Sequence, residues 1–161
     1  MMQQDTGIKS FLLVGSNLGN PLAQIDRGYD LVNKECGRII HRTACHKTKP
    51  WGYHDQPVFY NEIWTLETSL QPLELLQKLK DIEVLCGRKS RSKWYARELD
   101  IDILFYDQEI VHFTNLTIPH PWHHKRLFSL ELMQEAAPNF RHPIFGKTSE
   151  NLIKSLPKIV H

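Results

Sequence analysis

The sequence of 161 residues contains only three cysteines, Cys36, Cys45 and Cys86, and no CxxC pair. Such an odd, widely spaced set argues against a disulfide framework and favours a reducing compartment, so we expect a cytoplasmic protein. No apolar run approaches the roughly 20 residues of a membrane span. The beginning of the chain has neither the basic nor the apolar region of a secretory signal. We therefore expect no membrane partner.

The sequence also lacks a charge excess, since 20 Lys and Arg residues stand against 18 Asp and Glu residues. Proteins that wrap nucleic acids usually carry a strong basic excess, so we expect no nucleic-acid partner. Hydrophobic residues make up 41% of the chain, which is enough for one sizeable core and short for two. We expect residues 1–161 to form a single domain and a monomer. The nine histidines are the one unusual count.

Helix and strand signals alternate along the chain. Asn20 and Pro21 predict the start of a first helix, which stops at Gly37, and Pro72 predicts the start of a second, which stops at Gly87. Apolar and β-branched runs predict strands at 11–14, 39–48, 58–68, 99–106, 109–111 and 116–118, with a last helix at 127–136. This order predicts an α+β fold with a ferredoxin-like βαββαβ core. Its antiparallel sheet would have helices on one face and an open substrate-binding face, followed by short C-terminal strands and a helix.

The sharpest pattern is Leu-Asp-Ile-Asp-Ile-Leu-Phe at residues 99–105. Strand side chains alternate between faces, so Asp100 and Asp102 share one face and the apolar residues share the other: Leu99, Ile101, Ile103 and Phe105. Carboxylates about 7 Å apart along a strand repel each other unless a cation lies between them. Mg²⁺ is commonly held by one or two carboxylates plus substrate phosphates. A solvated polar face is the alternative, but Asp is poorly suited to strand interiors, which favours a metal site.

A basic stretch at residues 88–97 precedes this strand and carries five cationic side chains. Arginine forks bind phosphate oxygens and offset developing charge, so cations beside a carboxylate pair are typical of a polyphosphate site. The stretch could also close over a site and exclude water. A solvated basic loop is the alternative, and Trp94 is hard to explain by solubility alone.

Phe59 and Asn61 lie two residues apart on a predicted strand and therefore share a face. An aromatic plane beside a side-chain amide suits a flat heterocycle, which stacks on one residue and forms paired hydrogen bonds with the other. Thr48 and Gly52 could add contacts. The alternative is a core aromatic residue beside an Asn that caps a turn.

Residues 119–126, Pro-His-Pro-Trp-His-His-Lys-Arg, contain three histidines within five residues. A zinc site is disfavoured because no cysteine lies nearby and prolines interrupt the helix that would pair His120 with His124. Phosphate contacts from His120 and Arg126 fit this segment better. The other histidines are expected to be surface or strand residues, as for His41, His46 and His112.

Two glycine-containing segments do not meet the requirements of phosphate-binding loops. Gly146-Lys147-Thr148 ends like a Walker A motif, but Arg141 occupies the position of the required glycine and no clear strand precedes it. Gly15-Ser16-Asn17-Leu18-Gly19-Asn20 lacks the GxGxxG spacing and predicts a strand-to-helix turn.

Seven motifs follow one another along most of the chain: Gly15-Ser16-Asn17-Leu18-Gly19, Thr48-Lys49-Pro50-Trp51-Gly52, Asp55-Gln56-Pro57-Val58-Phe59-Tyr60-Asn61, Gly87-Arg88, residues 94–104, Pro119-His120-Pro121, and Arg126 with Phe128. In this order they resemble the 6-hydroxymethyl-7,8-dihydropterin pyrophosphokinase family of folate biosynthesis (2-amino-4-hydroxy-6-hydroxymethyldihydropteridine diphosphokinases). The Arg-x-x-Asp-x-Asp pattern at 97–102 is the most diagnostic of them.

The resemblance implies an enzyme that moves the terminal pyrophosphate of ATP to the hydroxymethyl group of the pterin and releases AMP. It implies two Mg²⁺ ions held by Asp100 and Asp102. The pterin site would comprise Thr48, Trp51, Gly52, Asn61 and the sandwiching rings of Phe59 and Phe128. Residues near ATP would be Glu83, Arg88, Arg97, Ile103, Thr117, His120 and Arg126. Trp94 and Arg97 would close over the site, and catalysis would rely on positioning and charge neutralisation by Arg88, Trp94, Arg97, Asp100 and Asp102.

The sequence departs from the family pattern at three places. Tyr95-Ala96-Arg97-Glu98 replaces the commoner Gly-Pro-Arg-Thr, and Glu98 adds negative charge beside the metal strand. The basic stretch is about one residue short, so the family's second loop arginine has no single counterpart among Lys89, Ser90 and Arg91. Glu62 stands where a small residue is usual, and strand alternation predicts that it faces away from Asn61.

Two other functions compete with this interpretation. A ferredoxin-like sheet with surface aromatics can stack nucleic-acid bases, but the balanced charge and the two aspartates on a central strand argue against that class. A Mg²⁺-dependent phosphoryl or nucleotidyl transferase could use another heterocyclic acceptor, since Phe59 and Asn61 do not by themselves name pterin.

Overall fold

The computed structural model describes residues 7–49, 57–87 and 98–158. Its strands are β1 (Ile8–Ser16), β2 (Arg38–Arg42), β3 (His46–Thr48), β4 (Phe59–Thr68), β5 (Asp100–Tyr106), β6 (Val111–Phe113) and β7 (Leu116–Ile118). Its α-helices are α1 (Pro21–Glu35), α2 (Pro72–Leu85), α3 (Leu127–Ala136) and α4 (Ser149–Lys154), and a 3-10 turn spans His123–Lys125. Across these ranges, no helix has the length and apolar character needed to cross a membrane.

The main sheet has five strands in the order β2-β4-β1-β5, with β3 also paired to β4, and every pair is antiparallel. The short strands β6 and β7 form a separate hairpin. The expected α+β class with an antiparallel sheet is therefore confirmed. Strand β1 lies between β4 and β5, so it joins the segments with the Phe-x-Asn and Asp-x-Asp patterns.

The predicted helix starts are confirmed by their caps. Asn20 Oδ1 accepts a hydrogen bond from the backbone N–H of Ala23 at 3.2 Å, and Pro21 begins α1. At α2, the Glu74 carboxylate accepts the backbone N–H of Gln71 at 2.9 Å, ahead of Pro72. Such caps satisfy N–H groups that have no partner within the helix. The sequence contains enough local information to start both helices.

Helices α1 and α2 cover one face of the sheet, as expected. Their contact with the sheet forms the main core, which includes Leu12, Val14, Ile25, Val32, Trp64, Leu75, Leu79 and Ile82. The expectation of an open opposite face is wrong over part of the sheet, because α3 packs there. That second cluster comprises Phe11, Leu13, Ile63, Leu104, Phe105, Leu132 and Met133, with Phe128 packed against it. A buried apolar stripe on the sheet needs such a cover.

The prediction that Phe105 shares a face with Ile101 and Ile103 is wrong. The two isoleucines belong to the core under α1 and α2, whereas Phe105 belongs to the cluster under α3. The pairing of β1 with β5 shifts register between Phe11 and Leu12, a β-bulge or irregularity. An extra residue in one strand reverses the alternation of faces beyond it.

Two further elements differ from the sequence prediction. The strand expected at 39–48 is divided into β2 and β3, and Thr43 lies between them with its N–H bonded to Ile63 O at 3.0 Å. Helix α4 was not predicted. Thr148, the last residue of the Walker-like segment, is its N-cap and accepts the N–H of Asn151 at 3.4 Å. The dismissal of that segment as a phosphate loop agrees with this capping role.

Candidate active site

The register of the sheet brings the two sequence patterns into one row. Gly15 on β1 pairs with Asn61 on β4 and, on its other side, with Asp100 on β5. Two residues earlier on β1, Leu13 pairs with Asp102. Neighbouring strands are about 4.8 Å apart, so the Cα atoms of Asn61 and Asp100 are about 10 Å apart across Gly15. A substrate of heterocycle size can span this distance.

Asn61 and Thr48 form a polar pair at one end of this row. Asn61 is 5% exposed, and its Nδ2 donates a hydrogen bond to Thr48 Oγ1 at 2.7 Å. This contact fixes the orientation of the amide, with Nδ2 toward β3 and Oδ1 on the other side. Phe59 is half-buried two residues earlier on β4 and pairs with Thr48 across the strands. The predicted grouping of Thr48, Phe59 and Asn61 is therefore present in the fold.

Asp100 and Asp102 line a cleft of about 360 Å³ at the other end of the row. Both are partly exposed, as the alternation of the strand predicts. The cleft is also lined by five residues that the resemblance or the fold places there: Glu83, Ile103, Thr117, His120 and Pro121. Four of the seven residues expected near the nucleotide, Glu83, Ile103, Thr117 and His120, thus line one cleft with the two carboxylates.

Glu83 is held beneath the carboxylate strand by a backbone contact. Its side chain comes from α2, is 4% exposed, and accepts the N–H of Ile101 at 2.7 Å. Ile101 is the residue between Asp100 and Asp102. This hydrogen bond restrains the strand that presents both carboxylates.

His120 faces Asp102 in a defined orientation. Its backbone N–H bonds to Leu104 O at 2.9 Å, and its Nδ1 accepts the N–H of Trp122 at 3.1 Å. The proton of the neutral ring is therefore on Nε2, which lies 4.0 Å from Asp102 Oδ2. Burial lowers the pKa of His120 to about 4, with a further lowering by Arg126 and an opposing effect of Asp100. The ring is neutral at physiological pH and offers one N–H donor.

Arg126 and Phe128 flank the start of α3. Burial lowers the pKa of the Arg126 guanidinium, and the negative charges of Asp102 and Asp100 oppose that effect. Arginine stays protonated despite such a shift, so it places a partly buried positive charge near the carboxylates. Phe128 packs on the cluster that contains Leu13 and so lies on the same sheet face as the Asn61 row.

The end of β1 and the residue after it bind the segments that lead into both neighbouring strands, a role that the sequence analysis did not assign. Ser16 Oγ donates to Glu98 O, and Asn17 Nδ2 donates to Pro57 O at 2.9 Å. Pro57 lies two residues before Phe59, and Glu98 lies two residues before Asp100. The Gly-Ser-Asn motif was visible in the sequence, but its hydrogen-bond partners lie 40 and 82 residues away.

Glu62, the departure next to Asn61, faces away from Asn61 as predicted and lies on the helix side of the sheet with Trp64. It is 2% exposed and accepts hydrogen bonds from the Arg42 guanidinium and from Trp64 Nε1, the latter at 2.6 Å. A buried carboxylate needs such partners. Glu62 therefore stabilises the core side of β4.

Five predicted site residues lie outside the described residues: Trp51, Gly52, Arg88, Trp94 and Arg97. Within the described ranges, no group of three or more His, Cys, Asp and Glu residues has the arrangement of a metal site.

Comparison with known proteins places these motifs in a family. The 7,8-dihydro-6-hydroxymethylpterin-pyrophosphokinase profile matches residues 11–138. The 2-amino-4-hydroxy-6-hydroxymethyldihydropteridine pyrophosphokinase of Aquifex aeolicus is 39% identical over 137 residues, which cover 85% of each chain. The enzyme of the same name from Haemophilus influenzae is 35% identical over 137 residues, 84% of this chain and 86% of the relative.

Solved structures agree at the level of the fold. A Plasmodium falciparum HPPK-DHPS crystal structure with pterin and p-hydroxybenzoate has a TM-score of 0.76 and 17% identity, and the match covers 96% of this chain. This chain spans 42% of that protein's length. Together with the profile match and the closely similar bacterial enzymes, this shows that the chain belongs to the 7,8-dihydro-6-hydroxymethylpterin-pyrophosphokinase family.

Proposed function

We propose that this protein transfers the pyrophosphoryl group of ATP to 6-hydroxymethyl-7,8-dihydropterin and releases AMP, as a step of folate biosynthesis. The family membership and the names of the bacterial relatives support this reaction. The observation that carries the site assignment is the row of Asn61, Gly15 and Asp100 across the sheet. This row brings a side-chain amide that can hydrogen-bond to a heterocycle close to the carboxylate pair, on one face of the sheet. ATP is the co-substrate.

Asp100 and Asp102 are suited to hold the Mg²⁺ that accompanies ATP. They are two carboxylates on one strand face, and they line one cleft. Since the described residues contain no cluster of three metal-ligating side chains, a cation here would complete its shell with phosphate oxygens and water. Mg²⁺ is typically bound in this way. Bound Mg²⁺ neutralises phosphate charge, and the resemblance implies two such ions at this pair.

The pterin is proposed to bind between Phe59 and Phe128, with its amide-like edge on Asn61. The Thr48 contact orients the Asn61 amide, which can both donate and accept hydrogen bonds to a heterocycle. Trp51 and Gly52 belong to the same pterin site by the resemblance alone.

The phosphates are proposed to contact His120 and Arg126. The neutral His120 ring offers its Nε2 proton on the side of Asp102, and Arg126 supplies a positive charge near both aspartates. Glu83, Ile103 and Thr117 line the same cleft and are assigned to the nucleotide. Arg88, Trp94 and Arg97 are assigned by the resemblance to closure over the site and to phosphate contacts.

In the proposed reaction, the hydroxymethyl oxygen attacks the β-phosphorus of ATP. The new oxygen–phosphorus bond forms as the bond between the β-phosphorus and the α,β-bridging oxygen breaks. AMP departs with that oxygen. The hydroxyl proton passes to the surrounding phosphate oxygens or water. The protein contributes alignment of the two substrates and stabilisation of the charge on the phosphates.

The remaining structural proposals concern the whole chain. The element order and the strand order β2-β4-β1-β5 support a ferredoxin-like core. A single domain over residues 1–161, a monomeric state and a cytoplasmic location stay predictions from the sequence.

The direct test is a chromatographic assay of nucleotides with ATP, Mg²⁺ and the hydroxymethyl pterin. We expect AMP and a diphosphorylated pterin in equal amounts, with no AMP when the pterin is omitted. Formation of ADP, or AMP release that does not depend on the pterin, would overturn the assignment. Replacing the pterin with other flat heterocyclic alcohols tests the alternative of a transferase with another acceptor.

A further inference from the structure

Gly15 lies between Asn61 and Asp100 in the row described above. Asn61 is on the side proposed for the acceptor heterocycle, and Asp100 is on the side proposed for the metal. The φ of Gly15 is not among the positive values found at other glycines of the described chain. This angle therefore lies outside the left-handed region that favours glycine, so backbone conformation alone does not require a glycine there. What distinguishes the position is the close approach of a neighbouring side chain to its Cα.

A side chain at position 15 would collide with the Asn61 amide. A Cβ built on Gly15 would lie 2.6 Å from Asn61 Oδ1 and 3.6 Å from Asn61 Cγ, and its third close neighbour is Tyr60 O at 3.6 Å. Real Cβ atoms essentially never approach other atoms within 3.0 Å. All three neighbours belong to β4, so the collision would act on the acceptor side and spare Asp100.

Asn61 cannot move away from such a Cβ without losing its own contact. Its Nδ2 is bonded to Thr48 Oγ1 at 2.7 Å, and the side chain is 5% exposed. Rotation of the amide to relieve Oδ1 would therefore displace Nδ2 from Thr48. The orientation of the amide is set from both sides: Thr48 binds its nitrogen, and the bare backbone of Gly15 leaves room for its oxygen.

We propose that Gly15 is a positioning residue, whose missing side chain holds the Asn61 amide in the orientation that reads the edge of the acceptor heterocycle. The inference rests on the proposed function in assigning Asn61 to the acceptor. It assigns no new contact to Asp100 or to ATP. It predicts that a side chain at position 15 weakens the binding of the pterin and not that of ATP. This effect should depend on the presence of the Asn61 side chain.

The test is a double-mutant cycle with Gly15→Ala, Asn61→Ala and the double variant. Loss of a buried amide hydrogen bond corresponds to roughly 5- to 150-fold in binding. We expect Gly15→Ala to raise the KM for the pterin within that range, with the KM for ATP changed less than about 2-fold. In the Asn61→Ala background, Gly15→Ala should cause no further rise, because the colliding atoms are absent. The inference is overturned if Gly15→Ala leaves the pterin KM unchanged. It is also overturned if Gly15→Ala raises the pterin KM as much in the Asn61→Ala background as in the unmodified protein.

A second readout does not depend on catalysis. The side-chain amide resonances of Asn61 in a ¹⁵N-correlated NMR spectrum should shift strongly in ligand-free Gly15→Ala, since the bond to Thr48 is displaced. Unshifted resonances would overturn the inference even if activity fell. If the unmodified protein released no pterin-dependent AMP while the resonances shifted, the proposed function would fail and the positioning of Asn61 would stand.

Val14→Ala provides the matched control. Val14 is the neighbour of Gly15 on β1, is fully buried, and faces the core under the helices. Its truncation should lower the melting temperature, as deletion of buried methyl groups does, and leave the pterin KM and the Asn61 resonances unchanged. A rise in pterin KM in Val14→Ala equal to that in Gly15→Ala would show that general destabilisation, and not the Asn61 amide, is the cause.

Discussion

Two buried histidines should make the stability of this protein depend steeply on pH. His123 and His142 are 1% and 3% exposed and pack edge-on against Phe105, with ring centroids 5.1 and 5.4 Å away. Burial lowers the pKa of His123 to about 3, helped by the nearby His142, His120, His124 and Arg126. Burial likewise lowers the pKa of His142 to about 4, helped by His124.

The sign of the effect follows from these values. In the unfolded chain both rings titrate near pH 6.5, so between pH 6.5 and about 4 the unfolded state binds more protons than the folded state. Stability is therefore complete above pH 6.5 and is lost as the pH falls toward the folded-state pKa values. At 1.36 kcal/mol per pKa unit, each ring contributes a loss of about 2 kcal/mol between pH 7 and pH 5. Both together remove about 4 kcal/mol, a large share of a typical stability of about 5 to 15 kcal/mol.

The assay is urea unfolding at pH 7 and pH 5, followed by circular dichroism. We expect the pH-dependent loss to be about 2 kcal/mol smaller in His142→Phe than in the unmodified protein. The exposed His112 provides the control, and His112→Gln should keep the full loss. Equal losses in the unmodified protein and in His142→Phe would refute the reasoning, because the buried ring would then not resist protonation.

Three further predictions concern the site. Asp102→Ala should reduce turnover by about 100-fold or more while the melting temperature stays within a few degrees, and near-normal turnover at limiting Mg²⁺ would contradict the metal assignment. Thr48→Val should raise the KM for the pterin roughly 5- to 150-fold, whereas Thr48→Ser, which keeps the hydroxyl bonded to Asn61, should stay near the unmodified value. Glu83→Ala should lower the free energy of unfolding by about 1–3 kcal/mol, because the N–H of Ile101 loses its acceptor. In urea titrations, Glu83→Gln should recover most of that free energy. Equal losses in the two variants would argue against that contact.

Many element starts could be predicted because their causes are local. Asn20 and Pro21 supply the cap and first residue of α1 within two positions, and the two-residue period placed Asp100 and Asp102 on one face without knowledge of the partner strand. Helix α3 was placed at 127–136, where the structure has it, but the sequence did not indicate that it lies on the sheet face expected to be open. The partner of a short amphipathic helix is a long-range choice, and a chain pattern does not contain it.

The sequence by itself determined the chemistry of this protein: the order of the motifs, the paired carboxylates and the aromatic-amide pair on their strand faces. Those features depend on residue type and on short spacings, which are fixed by covalent geometry. The tertiary structure decided which of them meet. The register of β1 sets Asn61 and Asp100 on either side of Gly15, and an irregularity in the same pairing turns Phe105 to the other face. The expectation that the remaining histidines are surface or strand residues is wrong for His123 and His142, which are buried outside the strands and pack around Phe105. These outcomes depend on strand pairing and packing between distant segments, which no local pattern specifies.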